Sequence, residues 1–244
     1  MIDTGSNGEK RFMAVPRGPA TIAALLSFNG GFVDAVGFLG LAGLFTSHVT
    51  GNFVTLGAAL VAGHHGIINK IIALPVFVAV IALARVAGGL MRKRKLPALR
   101  IFLVAEVTLL FAFFVLAVWL GPFADADSPA GLLTGCTGVA AMALQNAFQR
   151  VHFADLPPTT IMTGNTTQAT IDMVDLMLGE PGTDRARVLT RFRRLAAGIA
   201  CFAAGCILAA GLYWLVGFWS LAVAVIVGAV AAILRRDEDR PGPA

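Results

Sequence analysis

Six long apolar stretches restrict what this chain can fold into more than any other feature. A helix needs about 20 apolar residues to cross the hydrocarbon core of a bilayer. The stretches that reach roughly this length are residues 20–45, 67–91, 99–120, 130–152, 195–216 and 218–234. Only 14% of the residues are charged, whereas soluble domains usually carry about 25%. The sequence therefore predicts an all-α polytopic membrane protein with six transmembrane helices, and it excludes a soluble domain.

Basic residues cluster on one side of this predicted membrane domain. Three loops or tails are rich in Lys and Arg, namely residues 92–95, 185–194 and 235–236. The loop around Asp125 and Asp127 has neither. Because basic loops stay in the cytoplasm, we expect cytoplasmic tails at residues 1–19 and 235–244 and one transmembrane domain at 20–234. The net charge of +5 then indicates membrane lipids as partners and does not indicate nucleic acid.

Two further apolar segments are too short to cross a bilayer. As helices, residues 50–63 and 163–178 would be about 21–24 Å long, whereas the hydrocarbon core is about 30 Å thick. We therefore expect two re-entrant or half-membrane helices. Irregular backbone at that depth needs protein or water to satisfy its polar groups.

The two short segments begin with the same tripeptide, and other residues around them match as well. Three matches recur at an offset of 112 or 113 residues: Thr50-Gly51-Asn52 with Thr163-Gly164-Asn165, Thr46-Ser47 with Thr159-Thr160, and Asp34-Ala35 with Asn146-Ala147. Each half contains three long spans, so consecutive halves enter the membrane from opposite sides. The pattern predicts a 3+3 inverted repeat, with repeat one at residues 20–121 and repeat two at 130–234.

The two tripeptides are the candidate solute site. A helix N-terminus carries a partial positive charge, Thr is an accepted N-cap, and Gly allows close approach of the backbone. Two such helix starts meeting near the midplane would suit an anion or a polar solute. The candidate binding residues are Thr50, Gly51, Asn52, Gln145, Asn146, Thr163, Gly164 and Asn165. The alternative is that Thr and Asn only cap broken helices and hold the two repeats together.

Two acidic residues fall inside predicted spans, where an ionisable group is costly and usually faces a cavity or a partner. Asp34 lies near the middle of the first span, and Glu106 lies about a third of the way into the third. Both are candidates for carrying a coupling proton or ion. Two structural alternatives stay open: a protonated Asp34 bonded to nearby backbone, and a Glu106–Arg85 ion pair.

The sequence lacks the residue patterns of common catalytic and metal sites. Its three cysteines, Cys136, Cys201 and Cys206, lie in apolar stretches without a C-x-x-C or Cys/His spacing. No nucleophile elbow, P-loop, H-E-x-x-H or dinucleotide motif occurs. We therefore expect no metal, no cofactor and no catalytic residue, and we do not predict an enzyme.

Four motifs, in order along the chain, resemble a known family. They are GGFVDAVGF at residues 30–38, TSHVTGN at 46–52, MALQNA at 142–147 and MTGN at 162–165. Together they resemble the YoaK-like family of bacterial inner-membrane proteins over about residues 20–234. The resemblance implies a bacterial inner-membrane location and a shared architecture. That family has no established function, so the resemblance implies no substrate and no catalytic residue.

The inverted repeat, the paired tripeptides and Asp34 together favour a secondary transporter or permease. Its expected cargo is a small polar or anionic solute, with a proton as the candidate coupling ion. Two alternatives stay open: an intramembrane enzyme acting on a lipid-like substrate, and a structural or accessory membrane subunit. The sequence does not specify the oligomeric state.

Overall fold

The computed structural model describes residues 18–62, 66–179 and 184–238 and contains helices but no strand in these ranges. The helices are α1 (Pro19–Gly40), α2 (Gly51–Ala62), α3 (Ile67–Lys93), α4 (Ala98–Leu120), α5 (Pro129–His152), α6 (Met162–Leu178), α7 (Arg185–Val216), a 3-10 turn (Gly217–Ser220) and α8 (Leu221–Glu238). The predicted all-α class is therefore confirmed. Of the predicted tails, residues 1–17 and 239–244 lie outside the described residues.

By length and composition, four segments could cross a membrane, which is the pattern of a membrane protein. They are Pro19–Gly40, Ile67–Lys93, Ala98–Leu120 and Arg185–Leu234. The last of them contains both α7 and most of α8. With 24 residues, α5 is long enough but is not among them, since Gln145, Asn146 and Gln149 make it less apolar. Trp119 and Trp214 are 83% and 85% exposed, as expected of side chains that contact lipid.

The first helix is shorter than its hydropathy predicts. The apolar run continues to residue 45, but α1 ends at Gly40. Ala42 and Gly43 have positive φ angles of 52° and 81°, which a right-handed helix cannot contain. The Gly43 amide donates to the Phe38 carbonyl at 2.9 Å and closes the helix end. The prediction of helix over residues 41–45 is wrong because these residues are mostly apolar, so hydropathy does not mark where the helix stops.

The fifth long helix, α7, begins earlier than predicted. It starts at Arg185 because the Asp184 carboxylate accepts a hydrogen bond from the Arg187 amide at 3.1 Å. Its 32 residues make it about 48 Å long, more than an apolar core of about 30 Å requires. Its basic first turns therefore extend past the apolar part. There the Nε of Arg191 donates to the buried Asp172 of α6 at 2.8 Å, which ties α6 to α7.

The central helix is α1, and its closest packing is against α7. A Cβ on Gly31 would lie 2.2 Å from the carbonyl oxygen of Phe202, and a Cβ on Gly205 would lie 2.2 Å from that of Phe28. The two backbones are therefore in direct contact, as small residues allow between membrane helices. Around this pair, α5 packs on α3 and α4, α8 packs on α1 and α4, α2 packs on α3, and α6 packs on α7.

The loop between α4 and α5 holds the start of α3. The Asp127 carboxylate accepts hydrogen bonds from three amides there, those of Gly66, Ile67 and Asn69. These amides have no partner within their own helix. The buried Lys70 donates to the Ala42 carbonyl at 2.6 Å. The end of α1, the start of α3 and the α4–α5 loop thus form one connected group.

Candidate functional site

Asp34 binds the loop between α1 and α2, here called the first loop (residues 41–50), through six hydrogen bonds. Its Oδ1 accepts from the Thr46 amide at 2.7 Å, the Thr46 hydroxyl at 2.9 Å and the Ser47 amide at 2.6 Å. Its Oδ2 accepts from the Ser47 hydroxyl at 2.7 Å and the His48 amide at 3.2 Å and contacts Nδ1 of His48 at 2.9 Å. The carboxylate therefore fixes a stretch of irregular backbone against α1 and satisfies three of its amides.

Asn52 closes the first loop from its other end. Its Nδ2 donates to the Phe45 carbonyl and its Oδ1 accepts from the Phe45 amide, both at 2.8 Å. The first amides of α2 are also occupied, since Gly51, Asn52 and Phe53 each donate to the carbonyl three residues earlier. The start of α2 therefore offers a ligand fewer free amides than an uncapped helix N-terminus would.

In the second half, neutral amides hold the loop between α5 and α6, here called the second loop (residues 153–161). The Thr160 hydroxyl donates to Oδ1 of Asn146 at 2.6 Å. Nε2 of Gln145 donates to the Thr159 hydroxyl at 3.1 Å and to the Leu26 carbonyl of α1 at 3.0 Å. The Thr-Thr pair thus contacts uncharged side chains, whereas the matching Thr-Ser pair of the first loop contacts a carboxylate.

Asn165 makes one backbone hydrogen bond to its loop, where Asn52 makes two. Its Nδ2 donates to the Pro158 carbonyl at 2.7 Å, seven residues back, the same separation as between Asn52 and Phe45. Proline has no N–H, so the reciprocal bond cannot form. The same tripeptide therefore closes both loops, with one bond fewer in the second.

A pocket of about 580 Å³ lies between the two loops. Its lining comes from the first loop, α3, the start of α4, the end of α5, the second loop and the start of α6: Ser47, His48, Val49, Thr50, Leu74, Phe77, Ile81, Ala84, Arg85, Gly88, Arg92, Ala98, Phe102, Asn146, Ala147, Arg150, Val151, His152, Thr160, Ile161 and Thr163. Within the described residues, α2 and α6 do not pack against each other. The pocket is therefore lined by Thr50 and Thr163 of the two tripeptides without direct packing between the helices that they begin.

Three of the eight candidate binding residues line this pocket, namely Thr50, Asn146 and Thr163. The other five, Gly51, Asn52, Gln145, Gly164 and Asn165, are not part of the lining. Asn52, Gln145 and Asn165 are buried, and their amides bind the loops as described above. Thr50 and Thr163 therefore line the pocket, whereas Asn146 both lines it and binds the second loop through Thr160.

Basic side chains also line the pocket, at positions outside the eight candidate binding residues. They are His48, Arg85, Arg92, Arg150 and His152, and the described lining contains no Asp or Glu. A sequence signal exists for α3, because Arg85 and Arg92 are seven residues apart and share one helix face. No local feature around Arg150 indicates that it approaches α3. The result is a pocket with a positive, partly apolar wall.

Glu106 lies in the helix core and does not line the pocket. It is 0% exposed, and neither carboxylate oxygen has a hydrogen-bond partner among the described residues. The predicted Glu106–Arg85 pair is therefore not formed. Both polar atoms of the buried Asn29 side chain and Oε1 of Gln145 are also unpaired there. Along their helices, Asn29 and Glu106 fall between the apolar cluster around Phe113 and the cluster around Phe102, whereas Gln145 lies within the second cluster, between Leu144 and Phe148.

His48 connects the buried Asp34 with the pocket. Its side chain is 35% exposed, against 5% for Asp34. The hydrogen bond to the Asp34 carboxylate raises the pKa of the imidazole above its ordinary value, although burial acts in the opposite direction. His48 lies in the first loop, outside the four candidate spans. Within the described ranges, no group of three or more His, Cys, Asp or Glu side chains is placed to hold a metal ion.

Comparison with known proteins identifies a family but no characterised relative. The model of the family described as "Protein of unknown function (DUF1275)" matches residues 22–234. This range contains both loops, both tripeptides and every residue of the pocket. No curated protein and no solved structure gives a significant match to the chain. Because the family model covers most of its length, the chain belongs to the DUF1275 family.

Proposed function

We propose that this protein is a secondary transporter or permease for a small organic anion. The observation that carries the proposal is the pocket between the two loops, where three arginines border a mostly apolar wall. Arginine binds carboxylate, phosphate and similar oxyanions through paired N–H groups. Apolar side chains such as Leu74, Phe77 and Phe102 suit the carbon skeleton of the same solute. The proposed class of solute, small organic anions, is thus narrower than the class of polar or anionic solutes that the sequence predicts.

The proposed membrane domain has six crossings, made by α1, α3, α4, α5, α7 and α8. The remaining helices are half-membrane helices, because the 12 residues of α2 and the 17 residues of α6 reach only about 18 Å and 26 Å. The matching contacts of Asn52 and Asn165 support an inverted repeat of residues 20–121 and 130–234. In such a repeat, one half rocks against the other to expose the site alternately on each side.

The proposed location is the bacterial inner membrane, in agreement with the resemblance to the YoaK-like family. The basic residues 92–95 and 185–194 then face the cytoplasm, and both termini lie on that side. The C-terminal ends of α3 and α5 carry Arg92, Arg150 and His152 of the pocket lining, and both ends lie on the cytoplasmic side in this orientation. The pocket therefore opens toward the cytoplasm in this conformation.

The predicted site residues take two kinds of role in this proposal. Thr50, Asn146 and Thr163 contact the solute, because they line the pocket. Asn52, Gln145 and Asn165 hold the loops that frame the pocket, and Gly51 and Gly164 lie in the first turns of α2 and α6. Asp34 and Glu106 stay the acidic residues assigned to coupling, and their surroundings differ. Asp34 has six donors around it, whereas Glu106 has none among the described residues.

An uptake assay tests the proposal. The full chain is reconstituted in liposomes, and uptake of radiolabelled benzenesulfonate is measured, with neutral benzenesulfonamide as the control solute. We expect Arg85→Gln and Arg150→Gln each to reduce uptake about tenfold or more, because each loses a charge-assisted hydrogen bond to the anion. Arg193→Gln is the matched control, since Arg193 is exposed on α7 outside the pocket. Uptake no faster than in protein-free liposomes, or full uptake by both pocket variants, would contradict the proposal.

The two alternative roles have less support. An intramembrane enzyme would need converging acid/base groups, and the described pocket lining holds no carboxylate. A structural subunit would not need an open pocket bordered by arginines. Failure of both the uptake assay and direct binding of benzenesulfonate would favour the structural role.

A further inference from the structure

We propose that His48 is the residue that binds the coupling proton, with its Nε2 serving the pocket and Asp34 fixed behind it. This inference rests on the proposed function, because it assigns the proton that accompanies the anion in the same pocket. It moves the coupling role from the buried carboxylate of α1 to the imidazole that separates this carboxylate from the solute.

The hydrogen bonds around Asp34 favour a carboxylate over a carboxylic acid. Backbone amides of Thr46, Ser47 and His48 all donate to it. An amide N–H cannot accept, so a proton on Asp34 could be shared only with the Thr46 or Ser47 hydroxyl or with Nδ1 of His48. The three amides would then donate to a neutral acid, which accepts more weakly than a carboxylate. Two hydroxyls complete the shell. Asp34 is therefore poorly suited to take up and release a proton during transport.

The position of Asp34 also determines which nitrogen of His48 is free. Nδ1 lies 2.9 Å from Oδ2 of Asp34, and an ionised carboxylate can only accept, so Nδ1 carries the hydrogen. The neutral ring then has its lone pair on Nε2. Among the described residues Nε2 has no hydrogen-bond partner, and the ring lines the pocket. A proton that enters through the pocket therefore meets Nε2 before it can reach Asp34.

The groups around His48 link proton binding to anion binding. On α1 the charged neighbour is Asp34, and on α7 the ring of Phe202 lies 5.6 Å away, with Cys206 one turn further along α7. The lining from α3 and α5 adds Arg85, Arg92, Arg150 and His152, whereas the nearby ends of α2 and α6 present Thr50 and Thr163. The arginines oppose an imidazolium when no anion is bound. A bound anion offsets their charge, so anion and proton strengthen each other's binding.

The first test measures binding of benzenesulfonate to the purified full chain in detergent by calorimetry, from about pH 8.5 to about pH 6, a range that includes the titration of histidine. The sulfonate stays ionised across this range, so any pH dependence belongs to the protein. We expect the affinity of the wild type to rise about tenfold as the pH falls. His48→Asn keeps an N–H near the position of Nδ1 but does not titrate, so most of this rise in affinity should be lost.

The outcomes separate this inference from the proposed function. Binding by the wild type that depends equally on pH in His48→Asn overturns the inference and leaves the anion pocket standing. Absence of binding at every pH overturns the anion pocket and the inference with it.

If His48→Asn does not elute and unfold like the wild type, ¹⁵N-histidine NMR of the wild type tests the inference instead. A titration midpoint of His48 that rises when benzenesulfonate is added supports the inference, and an unchanged midpoint overturns it. Substitution of the other three histidines, His64, His65 and His152, assigns the signal.

Discussion

The first loop and the second loop follow the same plan, but a charged group holds one and neutral groups hold the other. Asp34 gathers six contacts from residues 46–48. In the second loop Asn146 accepts one bond from Thr160, and Gln145 donates one to Thr159. The Gln149 amide adds longer contacts of 3.3–3.5 Å to the carbonyls of Phe153, Leu156 and Pro157. Charge-assisted bonds are about twice as strong as neutral ones. The comparison indicates that the first loop is the fixed wall of the pocket and that the second loop is easier to release.

Truncating the two matched anchors tests this comparison most directly. Asp34→Ala leaves three loop amides unpaired, two of them buried, and we expect it to lower the free energy of unfolding by about 3 kcal/mol or more. Asn146→Ala removes one side-chain bond to the loop and should cost about 1 kcal/mol. Thermal unfolding of both variants in the same detergent measures the difference. Equal losses in the free energy of unfolding would mean that Asp34 does not hold the first loop more strongly than Asn146 holds the second.

The close contact between α1 and α7 lies near Asp34, which holds the first loop, and a substitution at this contact measures its contribution to stability. Gly205→Ala places a methyl group against the Phe28 carbonyl, and overpacking of this kind typically costs about 1–3 kcal/mol. Gly211→Ala is the control, because a Cβ there has nothing within 4 Å. It should leave stability unchanged or raise it slightly through helix propensity. Both variants are compared by thermal unfolding, and a neutral Gly205→Ala would argue against the backbone contact.

The two asparagines of the tripeptides give a smaller contrast. Asn52→Ala removes two hydrogen bonds to Phe45, whereas Asn165→Ala removes one to Pro158. At about 1 kcal/mol for each bond, we expect losses of about 2 and 1 kcal/mol in the free energy of unfolding. Hydrogen exchange of the loop amides, followed by mass spectrometry, locates the effect. A larger loss of stability in Asn165→Ala than in Asn52→Ala would mean that the second loop is the more strongly held of the two.

Asp34 and Glu106, the two acidic residues inside predicted spans, should respond to substitution in opposite directions. Glu106→Leu removes a carboxyl group without a described partner, and we expect it to raise stability by about 1 kcal/mol. Thermal unfolding measures this, with Glu106→Gln as the variant that keeps the shape. If Glu106 takes part in ion coupling as the sequence predicts, the stabilised variant loses its pH-driven uptake in liposomes. Destabilisation by both substitutions would mean that Glu106 has a partner that it needs.

The sequence predicts the membrane class and the paired motifs because both are local patterns. Apolar runs mark the long helices, and Thr50-Gly51-Asn52 and Thr163-Gly164-Asn165 stand out as repeated letters. The end of α1 at Gly40 is not predictable in the same way, since the break depends on backbone angles at Ala42 and Gly43 within an apolar run.

The charged lining of the pocket depends on tertiary packing. Arg85 and Arg150 are 65 positions apart in the sequence, and only the packing of α3 on α5 brings them to one cavity. The roles of Asn52 and Asn165 also depend on the three-dimensional path of the chain. Their polar side chains predict a role in a buried site, but whether they face the solute or their own loop depends on the path of the backbone. The proline at 158 illustrates how one residue then changes the number of bonds.

The glycine crossing of α1 and α7 would serve as a fulcrum in any rocking motion. Backbones in contact at Gly31 and Gly205 can rotate about each other but cannot come closer. Asp34 is three residues from Gly31, so the first loop lies beside this pivot and is displaced little. Arg191, which ties α6 to α7, is 14 residues from Gly205, a lever arm of about 21 Å along the helix. A small rotation would therefore be amplified at α6, whose first turn lines the pocket through Thr163.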